Sequence, residues 1–113
     1  MKKIIFITTI LIVSVWTNHA TAQTDTLRIQ TSAICEQCKE RIEGDLSFEK
    51  GIKSSNLDLK TKIATVVYNP KKTDTQKIRE AITRIGYDAD SLKADPKSYK
   101  KLPDCCKKES KMH

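Results

Sequence analysis

Thr26–Phe48 reads TLRIQTSAICEQCKERIEGDLSF, and a change of period inside it sets the fold. Thr26 to Ala33 alternates, with Leu27, Ile29 and Thr31 on one face, the two-residue period of a half-buried strand. From Cys35 to Phe48 the period lengthens. Cys38, Ile42 and Leu46 stand four apart and make one apolar stripe on a helix. Gly44 inside that helix costs about 1 kcal/mol of propensity, and Gly51 follows as its exit. The chain therefore opens as strand and then helix, with two cysteines at the junction.

Ile52–Leu59 is expected to be a second strand, with Leu57 and Leu59 pointing inward. Lys60-Thr61-Lys62 is a polar hairpin loop, and Ile63–Tyr68 (IATVVY) is the most β-prone window of the chain. Asn69-Pro70 stops that strand. Thr73 then offers a helix cap, with Gln76 completing a capping box. Ile78, Ala81, Ile82 and Ile85 form the buried side of the helix, and Gly86 ends it. Tyr87–Leu92 reads as a short edge strand. The order βαββαβ predicts an α+β, ferredoxin-like sandwich: a four-stranded antiparallel sheet with two helices on one face. No repeat of fixed period is evident.

The chain has 113 residues, enough for one small domain. Met1-Lys2-Lys3, the apolar run Ile4–Trp16 and the small-residue site Ala20-Thr21-Ala22 read as a secretory leader over 1–22, cleaved before Gln23. The apolar run is shorter than the ~20 residues a membrane span needs. A retained anchor is the lesser reading, and no stable membrane insertion is expected after cleavage. The leader is of bacterial type, so a periplasmic or secreted, oxidising location is expected. Losing its two lysines lowers the formal charge from +7 to +5. Its loss also leaves no Trp, one His (His113) and one Met (Met112), both terminal. A catalytic triad, a histidine-built metal site within the fold and a dinucleotide-binding sheet are thereby excluded. Residues 23–92 form the expected domain, and 93–113 a basic, cysteine-containing tail, largely extended.

All four cysteines survive. In Cys35-Glu36-Gln37-Cys38, two thiols three apart at a helix start lie on one side, close enough to bind one ion. Free helix N–H groups and the helix dipole favour negative charge there, so both thiol pKa values are expected to fall. Lys39 and Arg41 add positive charge nearby. Two thiolates and little else suit a soft ion, Cu(I) or Hg(II), and Zn(II) less well. No second C-x-x-C or C-x-x-H completes a tetrahedral zinc site within the domain. A dithiol redox pair and a structural disulfide remain the alternatives. The first would make the chain a thiol–disulfide oxidoreductase, the second a small interaction module.

Several motifs together are similar to the heavy-metal-associated domain family. They are C-x-x-C at the first strand–helix junction, I-x-x-x-L over Ile42–Leu46, A-T-V-x-Y-N-P over Ala64–Pro70, and K-I-x-x-A-I-x-x-x-G-Y over Lys77–Tyr87. The resemblance covers Thr26–Leu92. It implies a metal held between Cys35 and Cys38 and handed to a partner by ligand exchange. It also implies a Gly86-Tyr87 turn beside the metal loop, with Tyr87 shielding the ion. The family reads G-M-T before the first cysteine; Ser32, Ala33 and Ile34 stand there instead. The missing Met is one that packs under the loop in the family.

The tail carries Cys105 and Cys106. An extended chain of roughly 3.3 Å per residue spans about 40 Å between Leu92 and Cys105, against a domain radius near 13 Å. The pair is therefore within reach of Cys35 and Cys38, as added ligands or as a protective disulfide. The competing reading is an exposed end that oxidises or docks on a partner. Taken together, the residues point to a monomeric, non-enzymatic metal carrier. Its expected partner is a metal transporter or another metal-binding domain, toward whose acidic face a positive charge would steer it. Nucleic acid is not an expected partner, since few aromatics accompany the lysines.

Overall fold

The computed structural model describes residues 23–107. The leader over 1–22 and the terminal Met112 and His113 lie outside the described residues. Strand β1 (Asp25–Gln30) is followed by helix α1 (Glu36–Leu46), β2 (Ile52–Asp58), β3 (Ile63–Tyr68), helix α2 (Thr75–Ile85) and a short helix α3 (Pro96–Lys100). The sheet is antiparallel with order β1-β3-β2. Its register sets Ala64 opposite Ile29 on one side and Leu57 on the other. These three face the core with Val66 and Tyr68, while Ile63, Thr65 and Val67 alternate outward and stay partly exposed.

The stripe Cys38, Ile42, Leu46 of α1 and Ile78, Ala81, Ile82 of α2 complete one core with that sheet face. Burial of each large aliphatic there contributes about 1.5–3 kcal/mol. Thr73 does not cap α2. It is buried, and the cap is Asp74, whose carboxylate accepts from Lys77 N at 2.8 Å. The aspartate lies one residue closer to the first free N–H groups, so it takes the role. Among the described residues no helix is long and apolar enough to cross a membrane.

Among the described residues the expected fourth strand over Tyr87–Leu92 does not form, and the sheet has three strands. Ala89 bridges Thr31 and then Leu92. The chain turns back at once, with Ala89 N to Leu92 O at 3.0 Å and Leu92 N to Ala89 O at 2.9 Å. Asp90, at φ 52°, leaves extended geometry. Its N–H still donates to Gln30 O at 2.8 Å, while its carboxylate accepts from Gln30 N at 2.8 Å. One side chain thus satisfies the edge of β1 where a ladder would otherwise run.

Asp90 also accepts from Arg79 Nε at 2.8 Å. Burial works to raise its pKa, but the Arg79 hydrogen bond, the Gln30 N–H and the Arg79 charge prevail and hold it below the usual carboxylate value. With the folded pKa depressed, this contribution is present above the unfolded value near 3.8 and is lost as pH falls through the folded value. Asp90→Asn should therefore lower stability at pH 7. In urea titrations the gap to wild type should narrow as pH falls below 3.8 and through the depressed folded value. A gap that is unchanged with pH would contradict the assignment.

The tail is not extended between 96 and 106. Asp95 caps α3, accepting from Ser98 Oγ at 3.0 Å and Lys97 N at 3.4 Å, and Pro96 opens the helix. Asp95 N donates to Thr83 O at the end of α2. Leu102 is 4% exposed, and a 3-10 turn over Asp104–Cys106 buries Cys106. The lysines and the two prolines masked this, although Tyr99, Leu102 and Cys106 stand at the i, i+3, i+7 spacing of one helix face. Leu102 and Cys106 join the core cluster, with Tyr99 packed against it.

Candidate metal centre

Cys35 sits in extended backbone (φ −149°, ψ 169°) as the residue that caps α1, yet its side chain makes no capping hydrogen bond. Its sulfur is left to face Cys38, one turn on and fully buried at the head of the apolar stripe. The two Sγ atoms are 3.3 Å apart, and both residues are free cysteines. The preceding loop is fixed by hydroxyls. Thr31 Oγ1 donates to Lys62 O at 2.8 Å and accepts from Ala33 N at 3.2 Å. Ser32 Oγ accepts from Asp88 N at 2.9 Å, tying the loop to the Gly86-Tyr87 turn. The sequence marked Thr31 as a strand residue and Ser32 as a departure from the family pattern but not their hydrogen bonds, although a Thr bonding an N–H two residues on is a recognisable local pattern.

The tail brings its cysteines to the same place. Cys106 Sγ lies 3.7 Å from Cys35 Sγ, and Cys105 Sγ lies 3.8 Å from Cys106 Sγ. The sulfurs of Cys35, Cys105 and Cys106 are all within 4.8 Å of one another. The Cys105 thiol donates to Gln37 Oε1, inside the C-x-x-C loop. Cys38 stands outside that set of three and adjoins it through Cys35.

Tyr87 forms its floor. The residue is fully buried, and its hydroxyl has no partner of good hydrogen-bond geometry. It faces the thiols of Cys38 and Cys106. Burial, and then these sulfurs, push its pKa far up, so the phenol stays a neutral donor.

The thiols do not titrate alike. Burial and the Cys38 side chain raise Cys35. At Cys38 burial also acts upward, but the Tyr87 hydroxyl, the Ile34 backbone and the neighbouring thiols outweigh it, and the net shift is down. Cys106 is pushed up, chiefly by burial. The expectation that both C-x-x-C thiols fall is thus corrected: desolvation wins at Cys35. Lys39 does not aid the thiolates either. Its ammonium is held by Glu43 at 2.8 Å, Leu57 O at 2.9 Å and Asn56 at 3.1 Å, where it ties α1 to β2.

A half-buried, all-sulfur patch faced by the Tyr87 hydroxyl has the donor chemistry of a soft-cation site. The fold around it is α+β and ferredoxin-like, with an antiparallel sheet and two main helices. A sequence model of the heavy-metal-associated domain matches residues 31–88, and the chain belongs to that family. It is 40% identical over 63 residues to copper-transporting ATPase 1 of Rattus norvegicus, a match covering 56% of this chain and 4% of the ATPase. The chain thus corresponds to a small part of that relative. Among solved structures, the CopZ metallochaperone superposes with a TM-score of 0.55 at 24% identity, over 57% of this chain and 98% of that one. Oxidised MerP from Ralstonia metallidurans CH34 superposes with a TM-score of 0.57 at 24% identity, over 59% of this chain and 94% of that one. Both likenesses concern the fold.

Proposed function

We propose that the protein is an exported, monomeric, non-enzymatic carrier of a soft metal ion, held between Cys35 and Cys38 and passed on by ligand exchange. The observation that carries this reading is the pair of free sulfurs 3.3 Å apart at the start of α1, one of them with a lowered pKa. The cargo is Cu(I) or Hg(II), with Zn(II) third. The names of the relatives, a copper-transporting ATPase and a metallochaperone, support a transporter or a second metal-binding domain as the recipient. The reading places the protein in the periplasm or outside the cell.

Transfer needs no general acid or base. A partner thiolate adds to the ion, a three-coordinate state forms, and the thiolate of Cys35 or Cys38 leaves. One thiolate enters and one departs, so no electron is moved. Cys35 is the more exposed of the two and is the side a partner sulfur reaches first.

Under reducing, anaerobic conditions the protein should take up Cu(I) or Hg(II) one to one and release it to a dithiol acceptor. Its sulfur proximity also fits thiol–disulfide exchange, the rival reading. Catalysed insulin reduction without tight metal uptake would establish that rival and overturn the carrier.

A further inference from the structure

We propose that Cys105 and Cys106 are ligands too, so that the folded tail is a clasp that turns the two-thiolate clamp into a site of four thiolates. The proposal rests on the carrier reading above and specifies how the ion is held between uptake and release.

The sulfur spacings favour it. With metal–thiolate bonds of about 2.3 Å, neighbouring sulfurs stand about 3.8 Å apart around a tetrahedral ion and about 4.6 Å apart across a linear one. The Cys35–Cys106 and Cys105–Cys106 separations are 3.7 and 3.8 Å. These two spacings match a tetrahedral shell, whereas Cys38 stands outside the set of sulfurs within 4.8 Å of one another and must move in to share the ion. The Cys35–Cys38 pair, at 3.3 Å, must open for either geometry and opens least for the tetrahedral one.

The Tyr87 hydroxyl points the same way. It is fully buried, lacks a partner of good geometry, and faces Cys38 and Cys106. A buried donor left unmet is destabilising. Thiolate sulfurs drawn around an ion would supply the acceptor it lacks, and one of the two it faces belongs to the tail.

The tail is also built to arrive there. Leu102 is seated over Gly86: a Cβ added at Gly86 would lie 3.1 Å from Leu102 Cγ and 3.1 Å from Ser98 O. Ala94 N donates to Asp88 at 2.9 Å, next to the turn that carries Tyr87. These contacts hold the pair over the C-x-x-C loop, where the Cys105 thiol donates to Gln37. Leu102 and Cys106 belong to the buried core, so lifting the clasp exposes both, while the β1-β3-β2 ladder makes no use of the tail. A lifted clasp leaves the ion on Cys35 and Cys38, open to a partner thiolate.

The test compares the reduced protein with Cys105→Ser/Cys106→Ser and with a chain ending at Pro103, each loaded with one equivalent of Cu(I). In the intact protein, alkylation of Cys105 by iodoacetamide should slow at least tenfold on loading. Cu(I) affinity, measured against a competing chelator, should fall at least tenfold in both altered chains, which keep native circular dichroism. Protection of Cys35 and Cys38 by Cu(I) should persist in them. Equal affinities, with Cys105 reacting at its metal-free rate, would overturn the clasp and leave the carrier standing. Failure of all three proteins to load would overturn the carrier, and the clasp with it.

Discussion

A chain carrying Cys35→Ser and Cys38→Ser together should lose more than 100-fold in Cu(I) or Hg(II) affinity while remaining folded. The magnitude follows from the order of the shells. Partners that merely orient a ligand cost 10–100-fold when removed, and these two sulfurs are the proposed ligands themselves. A hydroxyl at neutral pH is neither soft nor ionised, so serine restores nothing. The fold should survive because Cys35 lies at the surface of the junction. Cys38 contributes one small buried group to a core still held by Ile42, Leu46, Ile29 and Ile82. Isothermal titration of the reduced variant, beside circular dichroism of the same sample, reads both quantities. Unchanged affinity would move the site elsewhere.

Gly86→Ala should destabilise the protein by about 2–4 kcal/mol. Gly86 ends α2 at φ 120°, a conformation that residues with a Cβ rarely adopt. The added carbon would also press on Leu102 and on the carbonyl of Ser98. The backbone strain is unavoidable, whereas the contact is relieved if α3 and the tail swing away. The variant should therefore show two changes at once: a lower urea midpoint, and faster alkylation of Cys106, which is buried in the native protein. Gly44→Ala is the control. A Cβ there meets nothing within 4 Å, and in a helix interior alanine should add about 1 kcal/mol. Equal effects at the two glycines would refute the tail packing over Gly86.

What the sequence disclosed was what depends on local period and punctuation. The four-residue spacing of Cys38, Ile42 and Leu46 is visible without coordinates because one helix face generates it. The same holds for the β-branched run Ile63–Tyr68, which forms the central strand over the expected residues, and for Gly86 as the stop of α2. The missing edge strand was not legible. A carboxylate replacing a strand's hydrogen bonds, as Asp90 does at Gln30, depends on a left-handed residue and a distant Arg79. The order in the tail was hidden for a related reason. Tyr99, Leu102 and Cys106 make a stripe too short and too broken by Pro103 to read as a helix until Gly86 provides the surface that Leu102 covers.

The site divides in the same way. C-x-x-C at a strand–helix junction marks Cys35 and Cys38 from spacing alone. The tail cysteines were within reach by chain length, but their arrival beside Cys35 follows from the contacts of α3 and Leu102. The protonation balance needed coordinates, because desolvation and the helix start act on a thiol in opposite directions. At Cys35 desolvation prevails; at Cys38 it is still the largest single influence, but the Tyr87 hydroxyl, the Ile34 backbone and the thiols of Cys106 and Cys35 together outweigh it.

X-ray absorption at the copper edge of the reduced protein loaded with one equivalent of Cu(I) tests the central claim most directly. The account predicts a first shell made of sulfur alone. A shell of nitrogen or oxygen, or a reduced protein that takes up no copper, would contradict it.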